Sequence, residues 1–399
     1  MVEGRTTILN QAFPMSPVMR IVLSGMLALA LAMGIGRFLY TPLLPLMQDA
    51  EGFGPDIAGL IGSANFAGYL AGSLLMSLVT REPLRRRVFR LGLIASVTTT
   101  AAMGLTDNLI AWVVIRTISG VASATCMILA SWYVFEAVNA AGEVRKAGWL
   151  WGGVGLGIAI SGLMTRAGSG VLAWDALWLT GGAICLTMLP VIWREIGPWT
   201  MPPVAAPVVA GRRPRPYPFT PLMLAYVCEG LGYSVFATFI VAILKSRPGL
   251  EVVADYAWVI AGLAGLPSAL ALAWLAGRIG FAAALVVAYL AQMVGVALPA
   301  LSDGATAAIM AALLFGGTFT GISLLALQLG KSGGGGRGIA LLTAGFSVGQ
   351  IVAPAAAGYL AARGGGFESS LLGSAAILGL GALLLVYGIA RRNRVPSPS

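Results

Sequence analysis

Twelve stretches of apolar residues separated by short polar breaks dominate this sequence, and they restrict the folds open to it more than anything else does. They lie at approximately 20 to 47, 57 to 80, 88 to 106, 108 to 137, 147 to 167 and 171 to 193, then 219 to 244, 256 to 276, 280 to 301, 305 to 329, 338 to 361 and 369 to 390. A helix needs about 20 apolar residues to cross the hydrocarbon of a bilayer. In lipid each backbone N–H and C=O must find its partner within the chain, which leaves helices as the form for such runs. The expected fold is an all-α membrane protein of twelve transmembrane helices. Only 10% of the 399 residues are charged, against about 25% in soluble domains.

Residues 197 to 221, GPWTMPPVAAPVVAGRRPRPYPFTP, hold eight prolines and three arginines and show no helical period. They divide the chain. The expected organisation is a tail at 1–19, a six-helix bundle at 20–196, a Pro/Arg-rich linker at 197–218, a second six-helix bundle at 219–391 and a tail at 392–399. A signal peptide at the first run is rejected, because its apolar stretch continues past the Ala28-Leu29-Ala30 cleavage-like site. Nineteen of the 25 Lys and Arg residues fall on the side shared by both tails and the linker, and four fall on the opposite side. Basic loops stay in the cytosol, so both termini are expected there, in the inner membrane of the cell. The net charge of +10 therefore faces anionic lipid, and nucleic acid is not an expected partner.

The two bundles carry an internal repeat. A shift of 196 superposes Gly34 on Gly230, Gly36 on Gly232, Gly120 on Gly316, Gly153 on Gly349 and Gly162 on Gly358. It also places Arg37 on Tyr233 and Met33 on Glu229. Two halves related by a pseudo-two-fold, with a substrate site between them, are a recurrent plan in secondary transporters.

Three charged residues inside the runs point to that site. Arg37 lies within LALALAMGIGRFLYTPLLPLM, residues 27 to 47, with no acidic residue within ten positions. A guanidinium near the membrane centre costs about 2.5–3.5 kcal/mol on insertion scales, so it is expected to face a bundle interior or a watery cavity. Helical spacing puts Tyr40 on its face, and Pro42 and Pro45 favour an interrupted outer end. Arg116 sits at similar depth in the fourth helix; it either joins Arg37 in holding an anion or caps backbone carbonyls. Glu229, with Tyr226 and Tyr233 on its face, either pairs with one of the arginines or takes up a proton, and alternation between those states would couple protons to conformation. Asn65 and Gln350 are further polar candidates, with helix-to-helix hydrogen bonding as the alternative.

The enzymatic classes are poorly served. Histidine is absent, and with it the commonest general base and metal ligand. Cys126, Cys185 and Cys228 lie in three different runs without paired spacing, Gly330-Lys331-Ser332 lacks the glycine that a phosphate loop requires, and no carboxylate pair appears. No enzyme activity, cofactor or metal is expected.

The stretch GIGRFLYTPLLPLM at 34–47, with EGLGYSVFATF at 229–239, FGGTF at 315–319 and GQIVAP at 349–354, is similar to the YbfB/YjiJ-type branch of the major facilitator superfamily. The wider superfamily pattern covers nearly the whole chain and includes Arg116-Thr-Ile-Ser-Gly120 as its RxxxG motif. The resemblance implies the major facilitator fold, with helices 1, 4, 7 and 10 around a central cavity, which would bring Arg37, Arg116, Glu229 and Thr318 toward one another. The loop REPLRRR lacks the Gly and Asp that usually precede the family's basic run. Helix 5 lacks the Gly-Pro pair of drug antiporters.

The expected function is proton-coupled transport of a small organic anion by alternating access. Arg37, Tyr40, Arg116, Tyr233, Asn65 and Gln350 would bind substrate and Glu229 would carry the proton, in a chain that acts as a monomer. The alternatives are a proton-driven efflux pump for amphipathic or cationic drugs and, from another class, a non-transporting membrane sensor or scaffold.

Overall fold

The computed structural model describes residues 15–196 and 217–394, without the side chains of 332–336 and 394. Residues 1–14 of the expected first tail, most of the linker (197–216) and residues 395–399 lie outside it. Twelve helices are long and apolar enough to cross a membrane among the described residues. In the first half these are α1 (Pro17–Glu51), α2 (Pro55–Met76), α3 (Glu82–Leu105), α4 (Leu109–Ala140), α5 (Val144–Gly168) and α6 (Trp174–Ile196). In the second they are α7 (Phe219–Lys245), α8 (Glu251–Ile279), α9 (Phe281–Leu301), α10 (Ala305–Lys331), α11 (Arg337–Gly365) and α12 (Glu368–Asn393).

Local chemistry sets the ends of these helices. The Ser16 hydroxyl accepts from Met19 N ahead of α1, and Asn108 Oδ1 accepts from Ala111 N ahead of α4, which satisfies free N–H groups at each start. A single residue, Gly280 with φ 88°, joins α8 to α9, a conformation that a residue with Cβ seldom adopts. Helical backbone continues from α10 into α11, but the chain reverses there, since a Cβ at Gly338 would lie 2.8 Å from the Gly330 carbonyl oxygen. The glycine run at 333–336 sits at that reversal.

Large apolar side chains such as Leu78, Ile110, Leu301 and Leu383 are exposed around the bundle. An apolar belt of that kind fits lipid, not water. An even number of crossings leaves both described ends on one face, here called the terminal end.

The two halves obey the repeat in three dimensions. A methyl group at Gly120 of α4 would overlap the Asn65 carbonyl of α2, and one at Gly316 of α10 would overlap the Ala261 carbonyl of α8. Both residues of the first contact move by 196 to give the second. Positions related by the repeat can touch each other only on the pseudo-two-fold axis itself. Arg37 bonds to Tyr233, and the Thr41 hydroxyl donates to the Ala237 carbonyl at 2.5 Å, so the axis runs between α1 and α7 at these two levels.

Across the axis, α5 lies on α8 and α2 lies on α11. Glycine makes these contacts close: Gly155 and Gly262 put backbone on backbone, and a Cβ at Gly59 would strike the Pro354 carbonyl. Polar links between the halves are Arg37 to Tyr233 and Gln350, Thr41 to Ala237, Ser63 to the Ile351 carbonyl at 2.7 Å, and the ion pair Arg166–Asp255 at 3.4 Å. All of these lie at the level of Arg37 or toward the end opposite the termini.

Candidate functional site

The site begins with a defect in α1. Pro17–Leu29 is regular, Ala30–Ile35 widens into a π turn, residues 36–39 form an open turn, and α-helix resumes at Tyr40. The Gly36 N–H reaches back five residues to the Leu31 carbonyl at 2.8 Å. Pro42 has no N–H to give, so the turn before it loses a donor. The expected interruption at Pro42 and Pro45 therefore falls earlier, around Gly34 to Leu39. Gly34 permits it by lying against Gly157 of α5, where a Cβ on either would meet backbone. π turns recur at functional positions because they leave carbonyls unpaired.

Arg116 takes up those carbonyls. Its Nη1 donates to the Gly36 oxygen at 3.3 Å and its Nη2 to the Arg37 oxygen at 3.0 Å, while Ser119 Oγ donates to Gly36 at 3.2 Å. Asn65 Nδ2 holds this arrangement from α2, donating to the Arg116 carbonyl at 3.1 Å and to Ser119 Oγ at 3.3 Å. Tyr40 lies with its ring centroid 5.0 Å from the Arg116 guanidinium carbon, and its hydroxyl donates to the Ala58 carbonyl at 2.9 Å. Arg116, Asn65 and Tyr40 thus gather around the broken backbone.

Arg37 turns away from this group, across the axis. Its Nη2 donates to Gln350 Oε1 at 2.9 Å and to the Tyr233 hydroxyl at 3.2 Å, and Gln350 Nε2 donates to the same hydroxyl at 2.6 Å. On its own side the guanidinium carbon lies 4.6 Å from the Phe66 ring centroid, 4.7 Å from Tyr69 and 5.2 Å from Phe38. The residue is only 3% exposed. Its Nε has no acceptor, and the Tyr233 hydroxyl accepts in both of its bonds here, so its proton is uncommitted. Two donors therefore stand open beside a buried positive charge.

Glu229 does not answer that charge. The carboxylate is buried on α7, accepts from Gln292 Nε2 of α9 at 2.7 Å on one oxygen, and leaves Oε2 without a partner. Gln292 Oε1 in turn accepts from the Thr318 hydroxyl of α10 at 2.8 Å. None of the described ion pairs includes Arg37, Arg116 or Glu229. Of the two states foreseen for Glu229, pairing with an arginine is not the one adopted here.

Of the two surroundings expected for Arg37, the structure shows the bundle interior and not the watery cavity, and the central cavity implied by the resemblance is filled at this level. Arg37 and Glu229 are packed in, and stacked rings take up the space between helices, with Tyr233 against Phe346 (centroids 5.4 Å apart, planes 3° apart) and against Phe319 (5.1 Å, 26°). The physical reason is that large flat side chains fill an interior to near solid density. A crevice does lie between the halves, but near the end opposite the termini, lined by Pro45, Arg166, Lys245 and Asp255.

The structure places Arg37, Tyr233 and Gln350, all singled out from the sequence, in mutual contact, and it adds Gln292, Phe319 and Phe346, which were not candidates. Gln292 was visible as the single side-chain amide of the 280–301 run. The rings carried no signal, since aromatic residues in apolar runs are ordinary core.

Comparison with known proteins gives a consistent picture. The sequence matches, over residues 29–386, the model of a family described as "Uncharacterised MFS-type transporter YbfB". No curated protein matches it. Among solved structures, a bacterial homologue of the human lysosomal transporter Spinster, inward-facing and unoccupied, is 14% identical with a TM-score of 0.69, covering 97% of this chain and 100% of its own. The nucleoside transporter NupG is 14% identical with a TM-score of 0.68, covering 96% and 100%. The human organic anion transporter MFSD10 (TETRAN) is 16% identical with a TM-score of 0.65, covering 93% and 100%. At such identities these likenesses establish the twelve-helix fold in two halves.

Proposed function

The chain belongs to the YbfB-type family of major facilitator transporters, a membrane transporter and not an enzyme, and on that premise we propose that it moves a small organic anion by proton-coupled alternating access. One observation carries this reading: a buried guanidinium on the axis between the halves has no carboxylate partner and keeps an open donor. An unpaired charge in such a place is costly unless a ligand neutralises it. Arg37 is the anion's partner in this proposal. Tyr233 and Gln350 face it from the second half and already bond to each other, so an anion that enters between them and Arg37 leaves that bond in place and deprives only Gln350 Oε1 of a donor without a substitute.

Arg116, Asn65 and Tyr40 contribute by holding the turn that aims Arg37, with Arg116 Nε left as a further donor. Because the ligand would touch both halves, its arrival and departure bias which end of the bundle is open. The end bearing the termini is the cytosolic one in this reading, which the excess of Lys and Arg there supports, in an inner membrane and as a monomer.

Glu229 supplies the coupling. An ionised carboxylate without a counter-ion is expensive in a membrane interior, and a bound proton removes the charge. Its unpartnered Oε2 also suits an organic cation, which keeps a drug pump as a second reading. The test is accumulation by proteoliposomes of impermeant organic sulfonates, benzenesulfonate and methanesulfonate among them, under an imposed proton gradient. Gradient-driven accumulation should vanish in both Arg37→Ala and Glu229→Gln. Undiminished accumulation in Glu229→Gln would refute the coupling role; export of an organic cation that survives Arg37→Ala would favour the drug pump; and absence of any flux would favour a sensor or scaffold.

A further inference from the structure

We propose that a groove on the outer face of the first half, at the terminal end, binds one anionic phospholipid, with the lipid phosphate held at Arg86 and Arg90 and an acyl chain running beside Trp193.

The groove lies between three helices. Arg86 and Arg90 of α3 line one side and Ile192 and Trp193 of α6 the other, and the buried rings of Phe89 and of Tyr133 on α4 complete the lining with centroids 5.6 Å apart. Helical spacing puts the two arginines one turn apart on one face, about 6 Å along the axis. Guanidinium groups so placed suit the oxygens of a single phosphate. Arg86 is tied to Glu82 at 2.9 Å, whereas Arg90 is exposed and makes no hydrogen bond, ion pair or ring contact among the described residues. Residues 81 to 90 hold five arginines against one glutamate. At the end of α6, Arg194 and Glu195 pair with each other at 2.9 Å, so the groove keeps a net positive charge.

Depth makes a lipid the occupant. Arg90 stands eight residues after the start of α3 at Glu82, about 12 Å along the helix, and there the outward-facing side chains change from Arg87 and Arg90 to Leu91 and Ile94. On α6 the exposed Leu186 continues the same apolar surface. A phosphate at Arg90 therefore has a path for acyl chains immediately beyond it, which free phosphate would leave unused. Trp193, three residues before the end of α6 and 37% exposed, brings an indole to the boundary that such rings favour.

The repeat shows that the groove is not a general product of basic residues gathering at one end. A shift of 196 puts Ala282, Val286, Leu329 and Ile389 where Arg86, Arg90, Tyr133 and Trp193 stand. The second half is apolar at those positions. A basic pocket among helices at the membrane surface is the arrangement that holds acidic headgroups.

Thermal melting of the purified full-length protein, delipidated in a nonionic detergent at physiological salt, is followed over concentration series of phosphatidylglycerol, phosphatidylcholine and inorganic phosphate. Phosphatidylglycerol should raise the melting temperature, and the other two should not. Arg90→Gln should raise the phosphatidylglycerol concentration needed for half-maximal stabilisation about fivefold, the effect of one basic side chain near a lipid surface. Arg278→Gln, which removes an exposed charge at the same end of the second half, should change it less than about twofold. Both positions are exposed, so neither substitution endangers the fold. No response to phosphatidylglycerol, an equal response to both lipids, or equal losses in the two variants overturns the site, the last in favour of unspecific attraction to a charged surface; a response reproduced by inorganic phosphate overturns the lipid as its occupant.

Discussion

Arg37 and Arg116 are equally buried, yet replacing each with an apolar side chain should affect stability very differently. In Arg116→Leu, the Gly36 and Arg37 carbonyls released by the turn in α1 lose both guanidinium donors, and only Ser119 still reaches Gly36. A buried polar group left without its partner costs about 1–3 kcal/mol. With one carbonyl orphaned and the other half-served, the loss should total about 2–5 kcal/mol on that scale. In Arg37→Met, Tyr233 and Gln350 keep their mutual bond at 2.6 Å, so of the two acceptors that lose Arg37 only Gln350 Oε1 is left without a donor. That loss is offset by removal of a charge with no carboxylate partner, so the change should stay within about 1 kcal/mol of zero. Unfolding in mixed detergent micelles of rising SDS fraction, followed by tryptophan fluorescence, would measure both. Equal destabilisation by the two substitutions, or a neutral Arg116→Leu, would refute the division of labour drawn between them.

Further expectations concern the scaffold. Gly34→Val should abolish monodisperse protein on size-exclusion chromatography, because its side chain would enter the Gly157 backbone, whereas Gly277→Ala, with open space around it, should be neutral or stabilising by up to about 1 kcal/mol. Asp255 pairs with both Lys245 and Arg166 near the end opposite the termini, but these groups are partly exposed, so Asp255→Asn should shift unfolding by less than about 1 kcal/mol. Tyr217, just ahead of α7, donates its hydroxyl to the Leu385 carbonyl, and burial pushes its phenol up to about 12 despite the opposing influence of Arg392. The folded chain therefore holds this proton more tightly than the unfolded one. The resulting stabilisation is complete below the ordinary tyrosine value and is lost as pH rises from there through about 12. Tyr217→Phe should melt earlier at neutral pH and show a shallower alkaline decline than the wild type.

The sequence made the membrane-scale features legible because they come from averages over many residues. Apolar run length gave the twelve helices, and the 196-residue shift pointed to the axis on which Arg37 meets Tyr233 and Thr41 meets Ala237. Arg37 itself stood out because an unpaired charge in lipid is rare. Finer features depended on where the helix period fails. The stripe that joined Arg37 to Tyr40 assumes an unbroken helix, and the π turn at Ala30–Ile35 rotates them toward different neighbours. The role of Arg116 follows from that same break, since nothing in the spacing of α4 tells which carbonyls of α1 will be free. Gln292, Phe319 and Phe346 come from three helices distant in sequence, so only tertiary contact brings them to Glu229 and Tyr233.

The central claim is that the guanidinium of residue 37 waits for an anion from outside the chain. A thermal-shift screen of the purified protein against a panel of organic anions, repeated on Arg37→Ala, puts that claim to measurement. The account predicts at least one anion that raises the melting temperature of the wild type and leaves the variant unmoved; stabilisation of equal size in both proteins would contradict it.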